Sequence, residues 1–136
     1  MAAPIPEESK TPYVFLGRSG LKVSNVSLGT MTFGDTPQGR PGQSNEDESH
    51  EILNRYVEWG GNFLDTADVY GLGNSEIIIG KWLDRQPRDK FVIATKCRYP
   101  VGPLDNVNNG GLSRRHITAS IDASLHRLHT DFVDLY

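Results

Sequence analysis

The sequence predicts an α/β fold built on a parallel sheet, and three observations carry that prediction. Short apolar runs alternate with amphipathic segments along most of the chain, the pattern of strands covered by helices. The strand-like runs recur roughly every 30–40 residues, the size of a βα unit. The run FVIATK at 91–96 is almost unbroken in apolar character, as a strand buried on both faces must be.

Taken in order, YVFL (13–16) and LKVS (21–24) flank GRSG (17–20). Glycine at each end of that loop suits a tight turn, so the pair predicts a hairpin. VSLG (26–29) predicts the first strand of the sheet. Residues 34–43 are rich in Gly and Pro and predict an irregular loop. Ser44 is the expected N-cap of a first helix, since Glu46, Asp47 and Glu48 then sit at the positive end of its dipole. Ile52, Leu53, Tyr56 and Val57 form its apolar stripe, and Gly60 and Gly61 end it. NFLD (62–65) is the second strand. Asn74 or Ser75 caps a second helix with Ile78, Ile79, Trp82 and Leu83 inward, stopped by Pro87. FVIATK is the third strand, and residues 99–111 are irregular. Ser113 caps a third helix with the stripe Ile117, Ile121, Leu125 and Leu128, and FVDLY (132–136) is the fourth strand.

This order fits two architectures, an open doubly wound sheet and a (β/α)8 barrel of about 250 residues. Pattern alone does not choose. No G-x-G-x-x-G turn follows the first strand, which speaks against a dinucleotide-binding unit of the first kind.

Composition narrows the function classes. A net charge of −3 over 136 residues argues against non-specific attraction to nucleic acid or to an anionic membrane. The cations Lys81, Arg85, Arg88 and Lys90 are interrupted by Asp84 and Asp89, which reads as a mixed solvated face. No apolar run approaches the roughly 18 residues of a spanning helix. The first ten residues, MAAPIPEESK, lack the basic and apolar regions of a secretory leader, so a cytoplasmic location is expected. Cys97 is the single cysteine; it excludes an internal disulfide framework or a multi-cysteine metal site and is expected to be an inert strand-end thiol.

In parallel α/β folds, chemistry collects at the carboxyl ends of the strands. Here those ends carry Gly29, Thr30 and Met31, then Asp65 and Tyr70, then Lys96. A free tyrosine titrates near pH 10 and gives up its proton poorly at neutrality. An ammonium close to a phenol favours the phenolate, and a carboxylate beyond the ammonium keeps it charged and aimed. Such a tyrosine can protonate a carbonyl oxygen while hydride arrives at carbon. The glycine-rich 71–75 lacks the Lys-Ser/Thr ending of a phosphate loop and reads as the entry to the second helix. Trp59 and Trp82 read as packing residues, and His50, His116, His126 and His129 as solvated.

The segments LGRSGLKVS (16–24), LGTMTFG (28–34), NFLDTADVYG (62–71), SEIIIG (75–80), FVIATK (91–96), GLSRRH (111–116), SLHRL (124–128) and DFVDLY (131–136) resemble consecutive signatures of the aldo-keto reductase superfamily. The resemblance implies a (β/α)8 TIM barrel closed at its base by the hairpin. Represented here are the hairpin and the first four strands with three helices, a partial barrel in which 1–12 is a flexible segment and 13–136 the reductase domain. It implies NADPH as cofactor and a small carbonyl compound as substrate. Asp65, Tyr70 and Lys96 match the family's catalytic residues, and Gly29, Thr30, Met31 and again Asp65 match cofactor contacts. The histidine that completes the family's tetrad would lie just past Tyr136. The 136 residues alone are therefore expected to be marginally stable and weakly active or inactive. LGT (28–30), TFG (32–34) and GLSRRH also resemble the auxiliary β subunits of voltage-gated potassium channels, which implies as the alternative a channel partner or a homo-oligomer.

Overall fold

The computed structural model describes residues 10–35, 42–102 and 105–136; most of the expected flexible segment, and parts of the loops expected at 34–43 and 99–111, lie outside them. Strands β1 (Tyr13–Phe15) and β2 (Lys22–Ser24) form the expected antiparallel hairpin, with Val14 opposite Val23. Thr11, just ahead of it, is buried and donates its N–H to the Trp59 carbonyl at 3.1 Å.

Strands β3 (Leu28–Gly29), β4 (Phe63–Asp65) and β5 (Val92–Ala94) form a parallel sheet in that spatial order. Leu28 and Gly29 lie opposite Leu64 and Asp65, and Leu64 and Asp65 opposite Ile93 and Ala94. Each new strand joins the same edge. A doubly wound sheet reverses its order at a switch point; a barrel adds strands in one rotational direction. The observed order is that of the barrel, which decides between the two architectures left open by pattern.

The predicted fourth strand is reduced to a single parallel bridge between Leu135 and Ala94. The reason lies in Asp134. Its carboxylate accepts the Ile93 N–H at 2.9 Å and pairs with Arg88 at 2.8 Å, so a side chain stands where a ladder carbonyl would.

Helix α1 (Glu46–Glu58) starts one residue later than expected. The backbone of Ser44 is engaged with Thr32 and Gly34, so Asn45 is the N-cap. It forms a reciprocal capping box with Glu48 at 2.9 and 3.0 Å. Leu53 and Tyr56 face the core while Ile52 is exposed. The Tyr56 hydroxyl lies 2.7 and 2.9 Å from the carbonyls of Val26 and Phe63, which share its one proton. Its ring lies so close to Gly61 that a Cβ there would sit 2.2 Å from it.

Helix α2 (Asn74–Leu83) buries Ile78, Ile79, Trp82 and Leu83 as predicted, but its N-cap is Gly73, in the left-handed region at φ +97. Ser75 is drawn inward to Thr30 instead of capping.

Helix α3 (Arg114–Leu128) is capped by Ser113, as predicted. Its buried face is His116, Ser120, Ser124 and Leu128, with Ile117, Ile121 and Leu125 only half-buried. Small side chains are needed there because α3 passes close to Gly80 of α2, where a Cβ would lie 2.2 Å from the Arg127 carbonyl.

The core lies between the sheet and the helices, around Leu53, Leu64, Ile79, Trp82, Ile93 and Leu128. Trp82 donates its ring N–H to Asn54, and Trp59 packs against the core's edge. No helix among the described residues is long and apolar enough to cross a membrane.

Candidate active site

Asp65 is the last residue of β4, and Lys96 lies two residues beyond β5. Parallel register sets these ends side by side. Between them the chain leaves β4, turns at 66–69 and enters a tight kinked turn, Tyr70–Gly73. That turn runs through the left-handed region at Gly71, Leu72 and Gly73. Glycine enters that region freely, whereas Leu72 occupies it at a cost of order 1–3 kcal/mol.

The Lys96 ammonium has three N–H donors and three partner groups. Both Asp65 carboxylate oxygens lie at 2.9 Å, the Thr66 carbonyl at 2.7 Å and the Tyr70 hydroxyl oxygen at 3.3 Å. The same ammonium stands 4.9 Å from the centroid of the Tyr70 ring. Sequence reasoning singled out these three residues, and the structure brings them together. Because the Tyr70 oxygen accepts from Lys96, its own O–H is left to donate elsewhere. The Asp65–Lys96 pair is 35% and 48% exposed, so it adds at most about 1 kcal/mol of stability. Its effect is on geometry.

Thr30 fixes the β3 side of the site. Its N–H and hydroxyl both donate to the Asp65 carbonyl, at 3.0 and 3.1 Å. Ser75, in the first turn of α2, lies 2.9 Å from both the Thr30 carbonyl and the Thr30 hydroxyl, and 3.2 Å from the Thr66 hydroxyl. The Thr30 side chain is thus fully buried and committed to the scaffold. Gly29 and Met31 are open, with nothing within 4 Å of a Cβ built on Gly29.

Beneath these residues is a buried polar cluster that sequence reasoning missed. Glu76 is fully buried; it accepts the Thr95 hydroxyl at 2.5 Å and pairs with Arg127 at 2.7 Å. Asp68 is also buried, donates its backbone N–H to the Lys96 carbonyl at 3.2 Å, and has a carboxyl oxygen, Oδ1, with no hydrogen-bond partner among the described residues. Burial, and then the neighbouring Glu76 charge, push its pKa up to about 6.

His116, expected in solvent, is buried with its ring 2.6 Å from the Cys97 carbonyl, because it falls on the inward face of α3. His50 is likewise half-buried, 2.9 Å from the Ile78 carbonyl. Cys97 is buried beneath Tyr136, whose phenol is pushed well up by burial and by its hydrogen bond with that thiol. One signal was readable: Glu76 shares a helix face with Ile79 and Leu83 at i+3 and i+7, a carboxylate on an inward stripe. Among the described residues, no cluster of three His, Cys, Asp or Glu side chains could hold a metal ion.

Known proteins resemble this chain in sequence and in fold. Residues 25–136 match the Aldo/keto reductase family. An oxidoreductase of Bacillus subtilis, YrpG, is 41% identical over 91% of this chain and 38% of its own length. Versiconal hemiacetal acetate reductase of Aspergillus parasiticus is 41% identical over 90% of this chain and 40% of its own length. Among solved structures, the aldo-keto reductase AKR11C1 from Bacillus halodurans in its holo form superposes with a TM-score of 0.74 at 32% identity, covering 93% of this chain and 39% of that one. The chain thus spans about two fifths of the length of these relatives. With the strand order and the match over residues 25–136 agreeing, this chain is a member of the aldo/keto reductase family, folded as the hairpin and first strands of its (β/α)8 barrel.

Proposed function

We propose that this chain carries the proton-donating part of an NADPH-dependent carbonyl reductase site. The observation that supports it most is the Lys96 ammonium joining Asp65 to the Tyr70 hydroxyl. Lys96 supplies positive charge at the oxygen that must release a proton, and Asp65 holds that charge in place. Tyr70 then donates its proton to a carbonyl oxygen placed against it. Together these groups make the carbonyl carbon a better acceptor, by polarising the C=O bond before and during bond formation.

The residues at the strand ends fit a nicotinamide cofactor. Gly29 leaves room beside its backbone, Met31 presents an exposed side chain, and the Asp65 carboxylate retains lone pairs beyond those used by Lys96. Gly29, Met31 and Asp65 would hold the nicotinamide half; Thr30 acts through the scaffold. When bound, that group supplies the hydride.

The reductases among the relatives support carbonyl reduction as the reaction class. The Asp65–Lys96 pair is itself 35% and 48% exposed, and water screens its charges, so slow turnover is expected of the 136-residue chain. The test is aldehyde-dependent NADPH oxidation with the alcohol product quantified, in the wild type and in Lys96→Met. The expected result is product formed by the wild type and a loss of about 100-fold in the variant; equal rates in the two proteins would overturn the assignment.

A further inference from the structure

We infer that Arg127, on α3, is a positioning residue that latches the Tyr70 turn and the Lys96 strand end in their mutual arrangement. The inference takes the roles of Tyr70 and Lys96 from the proposed function, but the latch itself is a matter of geometry.

Arg127 reaches both sides of the site through one guanidinium. Its Nε donates to Glu76 at 2.7 Å, and the other oxygen of Glu76 accepts the hydroxyl of Thr95, the residue before Lys96. On the opposite flank, Cδ and Nε of Arg127 lie 2.9 and 3.1 Å from the position a Cβ would take on Gly73. Gly73 closes the Tyr70–Gly73 turn and caps α2. Arg127 is itself held, since its Nη2 donates to Ser124 one turn back at 3.3 Å. Close contact of α3 with Gly80 fixes the helix beneath it.

A buried ion pair adds little net stability over a well-packed apolar pair. What the Glu76–Arg127 pair supplies is directional. The planar guanidinium makes fixed-angle bonds to Glu76 and Ser124 while its stem fills the space beside Gly73. An apolar residue at 127 could fill that space but could not hold Glu76 against Thr95. Glu76 would then turn from Thr95, with Asp68 as the other carboxyl nearby, and both the Tyr70 turn and the Lys96 strand end would lose their shared anchor.

Hydrogen exchange followed by NMR on the intact chain tests this without reference to activity. Four amides report on the anchored region: Tyr70 and Leu72, which donate to the Ala67 and Val69 carbonyls, and Thr66 and Asp68, which donate to the Ala94 and Lys96 carbonyls. The amides of the β1–β2 hairpin are the control. In Arg127→Met the four are expected to exchange at least about tenfold faster while the hairpin stays within about twofold of wild type. Arg127→Lys, which keeps the charge, should fall between the two.

An unchanged pattern, or a uniform acceleration over the whole chain, would overturn the latch. Should Arg127→Met fail to fold, Arg127→Lys is judged by the same contrast between the four amides and the hairpin. If the local acceleration is seen in a chain that reduces no carbonyl, the latch stands and the proposed function falls. If the chain is active and the exchange is uniform, the reverse holds.

Discussion

Asp68 sits beneath the site with one carboxyl oxygen unpartnered, and its pKa is pushed up to about 6 from 3.8 by burial and by Glu76. A raised carboxyl pKa means that the folded chain binds this proton more tightly than the unfolded one. Asp68 therefore favours folding most below about pH 4, and that contribution is lost as pH rises towards 6. At neutral pH the ionised side chain works against the fold by up to ~3 kcal/mol. Asp68→Asn is expected to stabilise the chain at pH 7 by about 1–3 kcal/mol and to flatten its stability between pH 4 and 6, as measured by urea unfolding across that range. A variant less stable than wild type at pH 7 would contradict this. The contrast with Asp65 shows what could be read from the sequence at this scale. Asp65, Tyr70 and Lys96 stand at strand ends, where pattern points to chemistry. Asp68, Glu76, His116 and Arg127 act through burial, which depends on which way a loop or a helix face turns. Arg88 taught the same lesson: read as part of a solvated face, it pairs with Asp134 at a site only 17% exposed.

Elements with a strong local signal appear where periodicity puts them. The inward stripe of α2, the Ser113 cap of α3 and the buried run of β5 were all legible. The misplacements have physical causes in contacts distant in sequence. Ser44 lost its cap to a loop that had taken its backbone, and α3 turned its small polar residues inward because α2 comes too close for large ones. Gly80 is the point of that approach. Gly80→Ala would gain about 1 kcal/mol of helix propensity, but its methyl would meet the α3 backbone at 2.2 Å. A net loss of about 2 kcal/mol is expected, measured as a lower urea midpoint with an unchanged slope. A neutral or stabilising effect would show that α2 and α3 are packed less tightly than described.

At the scale of the whole sheet, strands added in one rotational direction leave two edges with no strand partner among the described residues, at β3 and at residue 135. Val26, Met31, Phe132 and Leu135 are exposed along and beside these strands. Unpaired edges of this kind recruit other chains, so the 136 residues are expected to self-associate with rising concentration in analytical ultracentrifugation; a monomer at all concentrations would show that the edges are protected. Periodicity gave the alternation of strand and helix but not the winding, since a βα unit looks alike in both architectures; the resemblance of the segments from 16 to 136 to the reductase signatures implied the barrel, and the observed neighbours agree with it.

Proton delivery by the phenol at the β4–β5 end is the claim on which the functional account depends, and removing that single oxygen tests it. The measurement is the rate of aldehyde-dependent NADPH oxidation in wild type and in Tyr70→Phe, alongside cofactor affinity from fluorescence quenching. Loss of the acid is expected to lower the rate by roughly 10²–10⁴-fold and to leave NADPH affinity within about twofold, because the proposed role of Tyr70 is toward the carbonyl and not toward the cofactor. A Tyr70→Phe protein that reduces the aldehyde at the wild-type rate would contradict the account.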